Sequence, residues 1–444
     1  MSLKKALRSR ALQLALSRPG IALRHWQARR RLPAADRNLV RVFLQLDDPY
    51  SYLLLPYLPL LERNYSIRLE VHLVAATQDE FKPEPAMLDA YAIRDCRLLA
   101  RELDIPFLDA GSEPAHAHTR KLERMLSDKA SGADYFTSLG AGFTAYWRGD
   151  ADSVARQLRE SATATDAAAI LDTNHRRLRE MGHYSSAMLH FAGEWYWGID
   201  RLLFLVDRLD DLGMRTRSER DQEIEKLRRV MRVTLPLAVP ECADQLPPLE
   251  LFFSYRSPYS YLALPRALRI AESFGLELRL RPVLPMVMRG LAVPPDKLRY
   301  IVLDANRCAR RAGIPFGLIG DPVGKAAERC IALTFFAERE GRACEFALKA
   351  ATAIWSRGRD LAMDRPLRRV VEAAGLDWQK AREALANDSW RKQAEDNRAA
   401  MTAMGLWGVP SWRIGEVALW GQDRDWLVER IIEDMCDRGD GIIV

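Results

Sequence analysis

Ser257-Pro258-Tyr259-Ser260 has the residue types of an anion site. The serine follows an apolar run, Leu249–Phe253, that reads as a buried strand, and the proline opens a helix at the one position where its fixed φ and missing N–H cost nothing. The helix N-terminus then points at Ser257, where unpaired N–H groups and the helix dipole favour a phosphate, a carboxylate or a thiolate. A serine in this place is equally a plain N-cap. A second element, Trp407-Gly408-Val409-Pro410-Ser411-Trp412, stands just before two short apolar runs. A Val-Pro bond entering an edge strand is a place for cis geometry, and it leaves the backbone of Val409 to pair with an extended, peptide-like ligand. Trp407 and Trp412 then either line an aromatic pocket or belong to the core.

All seven histidines precede residue 191, so neither a Ser-His-Asp triad nor a histidine-ligated metal can be built in the C-terminal part alone. His116 and His118 lie in a polar stretch that reads as a solvated loop rather than a metal site. The six cysteines (Cys96, Cys242, Cys308, Cys330, Cys344, Cys436) form no Cys-x-x-Cys pair and no pairing with histidine. They are expected to be reduced core thiols, with no disulfide framework and no zinc site. If Ser257 takes part in chemistry, something other than a histidine-activated serine supplies the nucleophile.

The elements that position these residues occur twice. Asp48-Pro49-Tyr50-Ser51-Tyr52-Leu53 matches Ser257 to Leu262 at an offset of 209 (257 against 48), and the same offset carries Tyr91, Asp95, Arg101, Ile105, Pro106 and Phe107 onto Tyr300, Asp304, Arg310, Ile314, Pro315 and Phe316. With small gaps, Trp197-Gly198-Ile199-Asp200-Arg201 matches Trp420-Gly421-Gln422-Asp423-Arg424. Leucines 276, 278 and 280, and Ile67 with Leu69, Val71 and Leu73, alternate with strand period. A helical stretch from about 297 to 404, punctuated by Gly313, Gly341, Gly358 and Gly375, precedes strands at Trp412–Ile414 and Val417–Trp420 and a helix from about Asp423. Prolines 236, 240, 247 and 248 mark a linker between the copies. The expected organisation is a basic arm over 1–37, a degenerate domain over 38–231, a linker over 232–248 and the more complete domain over 249–444.

Length and charge fit this division. A chain of 444 residues is long for one core, and 48% hydrophobic with 28% charged residues is ordinary for a folded protein. The net charge of +6 resides in residues 1–37, which hold ten Lys or Arg against Asp36 alone; the remainder is about −3. That distribution argues against a nucleic-acid partner. The arm reads either as a helix packed on its own protein or as a basic amphipathic helix resting on anionic lipid or an acidic partner. No apolar run has the length of a membrane span, and the expectation is a cytoplasmic protein.

Ser-Pro-Tyr-Ser after a first strand, then Lys297, Tyr300, Asp304 and Arg307, then Gly-Val-Pro, then Trp-Gly-Gln-Asp-Arg resembles the DsbA-like thioredoxin superfamily. Within it, the similarity is to the 2-hydroxychromene-2-carboxylate isomerase and kappa-class glutathione transferase branch. It covers about residues 249–436, and more weakly 39–210. The resemblance implies an α/β chain of two thioredoxin-like domains, each with a helical insertion, and glutathione as cofactor. It further implies that Ser257 bonds the glutathione sulfur, that Val409 beside Pro410 pairs with its cysteinyl part, and that Gln422 and Asp423 hold the γ-glutamyl end. Tyr259, Ser260, Trp407 and Trp412 would then line the pocket for a small-molecule substrate. The thiolate is stabilised by the helix N-terminus and adds reversibly to an unsaturated or aromatic carbonyl compound, as an isomerase or, if the adduct is kept, a transferase. Serines 257 and 260 deny the chain a disulfide oxidoreductase reaction.

Two departures are visible. Leu291-Ala292-Val293-Pro294-Pro295 lacks the asparagine the family often places before its Pro-Pro. The first copy carries Asp48 in place of Ser257 and Ala187 about where Pro410 stands, so it is expected to stabilise, to pack as one half of an internal pseudo-dimer, or to hold a carboxylate base of its own. A non-catalytic binding protein is the alternative reading of the whole.

Overall fold

A computed structural model of the chain describes residues 3–77, 79–107, 119, 122–123, 126, 133–149, 167–217 and 221–438. It divides into two compact units, Ala22–Met231 and Arg232–Val444, the second joined by Met1–Ile21. His116 and His118 lie outside the described residues.

In the N-terminal unit, β1 (Leu39–Leu44) runs parallel to β2 (Arg68–Leu73) and antiparallel to β3 (Met188–Phe191), which turns back into β4 (Glu194–Trp197). The C-terminal unit repeats the pattern with β5 (Leu249–Phe253), β6 (Leu278–Pro282), β7 (Ser411–Ile414) and β8 (Val417–Trp420). Each sheet has the same spatial order, with its second strand at one edge beside the first, then the third and fourth. A parallel pair needs a crossover connection, and here it is helical: Pro49–Asn64 in short pieces, and the single helix Pro258–Phe274.

The central strand β5 is buried at all five positions. Glu250, in its middle, is balanced by Arg281 of β6, whose Nε lies 2.8 Å away, and by Arg413 of β7. A buried carboxylate requires such partners; Arg413 stands opposite Glu250 in the register, and Arg281 reaches it from the position opposite Phe252. Leu251, Phe253, Trp412, Leu419, Phe274 and Trp426 fill the core around it.

The expected helical stretch is six helices from Pro295 to Ala403, starting two residues earlier than anticipated. Gly341 and Gly375, at φ 68° and 77°, stand just past helix ends, where the left-handed conformation favours glycine. Strand β6 begins at Leu278 rather than Leu276, and the last helix begins at Asp425, because Gln422–Arg424 form a 3-10 turn first.

The cysteine expectation requires correction. Cys242 and Cys436, 194 residues apart, form a disulfide, while Cys96, Cys308, Cys330 and Cys344 are free. The bond fastens the Pro-rich segment to the final helix, where the Thr234 N–H also donates to both carboxylate oxygens of Glu429 at 2.7 and 2.8 Å. Burial raises the Cys330 thiol to about 12 and the Cys344 thiol to about 11, which keeps both protonated at neutral pH.

The basic segment, expected as one arm, divides at Ile21. Helix Leu3–Leu16 belongs to the C-terminal unit, where Ser9 Oγ donates to the Ile319 carbonyl at 2.9 Å and the Leu16 carbonyl accepts from Asn306 at 3.1 Å. Helix Arg18–Arg31 continues into the N-terminal unit, where His25 meets Glu194 at 3.1 Å.

Candidate functional site

Strand β5 delivers the chain to Ser257, and Pro258 starts a 17-residue helix there. Ser257 Oγ accepts the Ser260 N–H at 3.1 Å and donates to the Val409 carbonyl at 3.3 Å. The N-cap reading of Ser257 therefore holds, and the cap also faces the other motif. The Val409-Pro410 bond is cis. The Pro410 carbonyl accepts the Gly421 N–H at 2.9 Å, which fixes the turn after β8 beside it.

Gly408 has a steric reason. A Cβ there would sit 2.5 Å from Trp420 Nε1, so only glycine lets the indole lie against the backbone. Trp407 packs on the same indole, ring centroids 4.9 Å apart, and Arg289 holds the Trp407 carbonyl at 3.1 Å.

Gln422 is 2% exposed. Its side-chain oxygen accepts from Arg266 at 2.6 Å, its backbone carbonyl from the same nitrogen at 2.9 Å, and its amide donates to Asp423. Arg266 also lies 3.3 Å from Asp425. Burial raises the Asp425 carboxyl above the usual carboxylate range, and Arg266 opposes that rise. Arg266 thus anchors the Gln422-Asp423 turn to the helix that Ser257 caps. Nothing in the spacing of Arg266 or Arg289 marked them beforehand; a lone arginine after Pro265 in an apolar stretch was the only trace of the first.

Tyr259 donates to Asp304 at 2.8 Å, and Arg307 closes on the other oxygen of the same carboxylate. Lys297, one turn into the helix Pro295–Arg311, has its ammonium lowered to about 8 by burial. Of the expected site residues, Ser257, Val409 and Pro410 come together, with Gln422 and Asp423 on the adjoining turn. Ser260 and Trp412 are both about 1% exposed. Ser260 is buried and accepts the Ser254 N–H at 3.3 Å, and Trp412 is a core residue whose Nε1 donates to the Gly421 carbonyl at 2.8 Å.

The corresponding place in the N-terminal unit is built differently. Asp48 accepts the Tyr50 N–H at 3.1 Å, Ser51 Oγ at 2.7 Å and Ser186 Oγ at 2.8 Å. Burial raises its carboxyl above the usual range, against the pull of these three bonds. Ala187 follows Ser186 with φ 54°. Among the described residues, no group of three or more His, Cys, Asp or Glu is arranged to hold a metal ion.

The strand order and the cis-proline facing a helix cap agree with the comparison to known families: residues 248–432 match the DSBA-like thioredoxin domain. The C-terminal half is thus a DsbA-like thioredoxin domain. The same half is similar to curated 2-hydroxychromene-2-carboxylate isomerases. Those of Pseudomonas putida and Sphingobium xenophagum are each 24% identical, over 42% of this chain and 95% and 98% of theirs. Among solved structures, a 2-hydroxychromene-2-carboxylate isomerase aligns with 23% identity and a TM-score of 0.38 over 43% of this chain and 96% of its own. The cytosolic disulfide reductase DsbM of Pseudomonas aeruginosa, solved with GSH, aligns with 22% identity and a TM-score of 0.32 over 43% and 98%. Among the described residues, no helix is long and apolar enough to cross a membrane.

Proposed function

We propose that the C-terminal unit is a glutathione-dependent isomerase, or a kappa-type glutathione transferase, acting on an unsaturated or aromatic carbonyl compound. The observation that carries the reading is the position of Ser257 Oγ between the Ser260 N–H and the Val409 carbonyl, at the head of a 17-residue helix. The names of the curated relatives of this half support the isomerase form.

The residues fit an anionic sulfur. A hydroxyl that now donates to a carbonyl at 3.3 Å can turn its proton to a thiolate and lose only a long bond. The helix N-terminus adds positive potential at the same point. Glutathione, when bound, supplies a thiolate able to add to an electron-poor carbon conjugated with a carbonyl and to leave it again. Ser257 holds that sulfur ionised, the Val409 backbone aligns the cysteinyl part, and Asp423, steadied through Gln422 by Arg266, takes the γ-glutamyl ammonium. Tyr259 and Trp407 border the substrate. The reaction needs reduced glutathione.

The two units are read as copies of one ancestral domain. Their common strand order and the offset of 209 support this. The N-terminal copy then serves a supporting role, its cap position filled by Asp48.

Calorimetric titration of the full chain with reduced glutathione tests the reading. Saturable binding is expected, weakened about tenfold or more by Ser257→Ala and by Asp423→Ala, the size of a lost bond to a charged partner. No binding at millimolar glutathione overturns the assignment and leaves a non-catalytic binding protein in its place.

A further inference from the structure

Helix Arg18–Arg31 has two faces of opposite character. One is spent within the fold: Ile21 is buried, His25 meets Glu194, and the Ala28 methyl leaves no room for a side chain on Gly193. The other presents Leu23 and Trp26, each 54% exposed and three residues apart, so they lie side by side. Arg30, one turn on, sets its guanidinium 4.8 Å from the centre of the Trp26 ring, and Arg31 beside it is exposed too. Leu14 of the preceding helix is 71% exposed. Trp26 is the only aromatic residue among the exposed large hydrophobics of the described chain.

The charge of this segment is one-sided. Residues 1–35 contain no Asp or Glu, and nine Lys or Arg; the first acid, Asp36, is engaged by Arg41 at 3.1 Å. An indole flanked by leucine and arginines suits the boundary between headgroups and acyl chains, where the ring is half wet, the aliphatic groups reach hydrocarbon and the guanidinium groups meet phosphates. A nucleic acid would match the arginines but offer Leu14 and Leu23 nothing apolar.

We propose that the outer face of helix Arg18–Arg31, formed by Leu23, Trp26, Arg30 and Arg31, docks the protein on the surface of an anionic lipid bilayer. The docking is peripheral, with Leu23 and Trp26 dipping into the interface and Arg30 and Arg31 meeting the headgroups. It does not depend on the glutathione reading.

Sedimentation of the full-length protein with vesicles tests it. Vesicles containing about one third phosphatidylglycerol should carry the protein down, pure phosphatidylcholine should not, and about 0.5 M salt should release it. Replacing Arg30 and Arg31 together by Gln should weaken binding about tenfold. Leu23→Ser with Trp26→Ala should weaken it severalfold and leave its salt dependence in place. Circular dichroism of both variants should match the parent, since Leu23, Trp26, Arg30 and Arg31 are all exposed. Failure to sediment with anionic vesicles overturns the proposal. So does equal binding by the parent and both variants, or capture by a duplex oligonucleotide with no vesicle binding.

Discussion

Tyr50 donates to Asp95 at 2.8 Å in the N-terminal unit, and Tyr259, 209 positions later, donates to Asp304 at the same distance in the C-terminal unit. Ser51 and Ser260 accept the N–H groups of Gln45 and Ser254, and Tyr52 and Tyr261 donate to the carbonyls of Pro106 and Pro315. All of these pairs keep one offset. At the mouth of the turn the two units differ: Asp48 with Ser186 and Ala187 in one, Ser257 with Val409 and Pro410 in the other. The bonds that hold strand to helix are common to both, while the groups that a ligand would meet are not. These bonds resist change because each is buried at least in part, and removing one partner leaves the other unsatisfied. The capping position is freer to vary, since serine and aspartate cap a helix about equally well.

The largest expected effect tests a second asymmetry. Residues 22–231 contain only Cys96, so the covalent tie between Cys242 and Cys436 has no counterpart in the N-terminal unit. A loop of 194 residues closed by one bond restricts the unfolded chain strongly, and Cys242→Ser should cost the C-terminal unit about 3 kcal/mol. Urea unfolding followed by hydrogen exchange should show that loss in residues 232–438 and little change in residues 22–231. An equal loss in both units would mean that the two do not unfold separately.

Next in size is the transplant of one mouth into the other. Ser257→Asp places a carboxylate where the glutathione sulfur is proposed to lie. In the N-terminal unit the hydroxyl of Ser186 answers the carboxylate of Asp48, but the C-terminal unit offers only the carbonyl of Val409 there. Glutathione affinity should fall about 100-fold, or about 2.7 kcal/mol, with little change in melting temperature. Unchanged affinity in calorimetry would show that the thiolate is held elsewhere.

Much of this comparison was legible in the residues. The register of repeated motifs located both turns, and the apolar runs located β2 and the four strands of the C-terminal unit to within two residues. Ser257 and Gly408-Val409-Pro410 were marked by residue type, because a proline at a helix start and a proline at a strand entry each have few alternative uses. The disulfide was not legible, since two cysteines at a separation of 194 carry no local pattern. Arg266 was hidden for a similar reason: its partners Gln422 and Asp425 lie more than 150 residues away and only the fold brings them to it. Ser260 and Trp412 were assigned to a pocket by their neighbours in sequence. Both are buried instead: the first turn of the helix sets Ser260 against the strand end, and the pleat of β7 sends Trp412 into the core.

The smallest effect concerns Asp48, and its sign separates a buried acid from a simple cap. Burial lifts the folded-state carboxyl above its unfolded value, although Tyr50, Ser51 and Ser186 all stabilise the ionised form. Between the two values the unfolded chain has released a proton that the folded chain still holds, so stability falls as pH rises through that interval and stays lower above it. Asn at this position keeps an oxygen for the Tyr50 N–H and cannot ionise. Asp48→Asn should therefore remove the decline that begins near about pH 4 and leave the N-terminal unit equal to or more stable than the parent at neutral pH, by about 1 kcal/mol or less. Urea midpoints of the two proteins across that range measure it. If the variant instead loses stability at neutral pH and not in acid, Asp48 is an ionised cap held by its two serines, and the two mouths differ in charge as well as in shape.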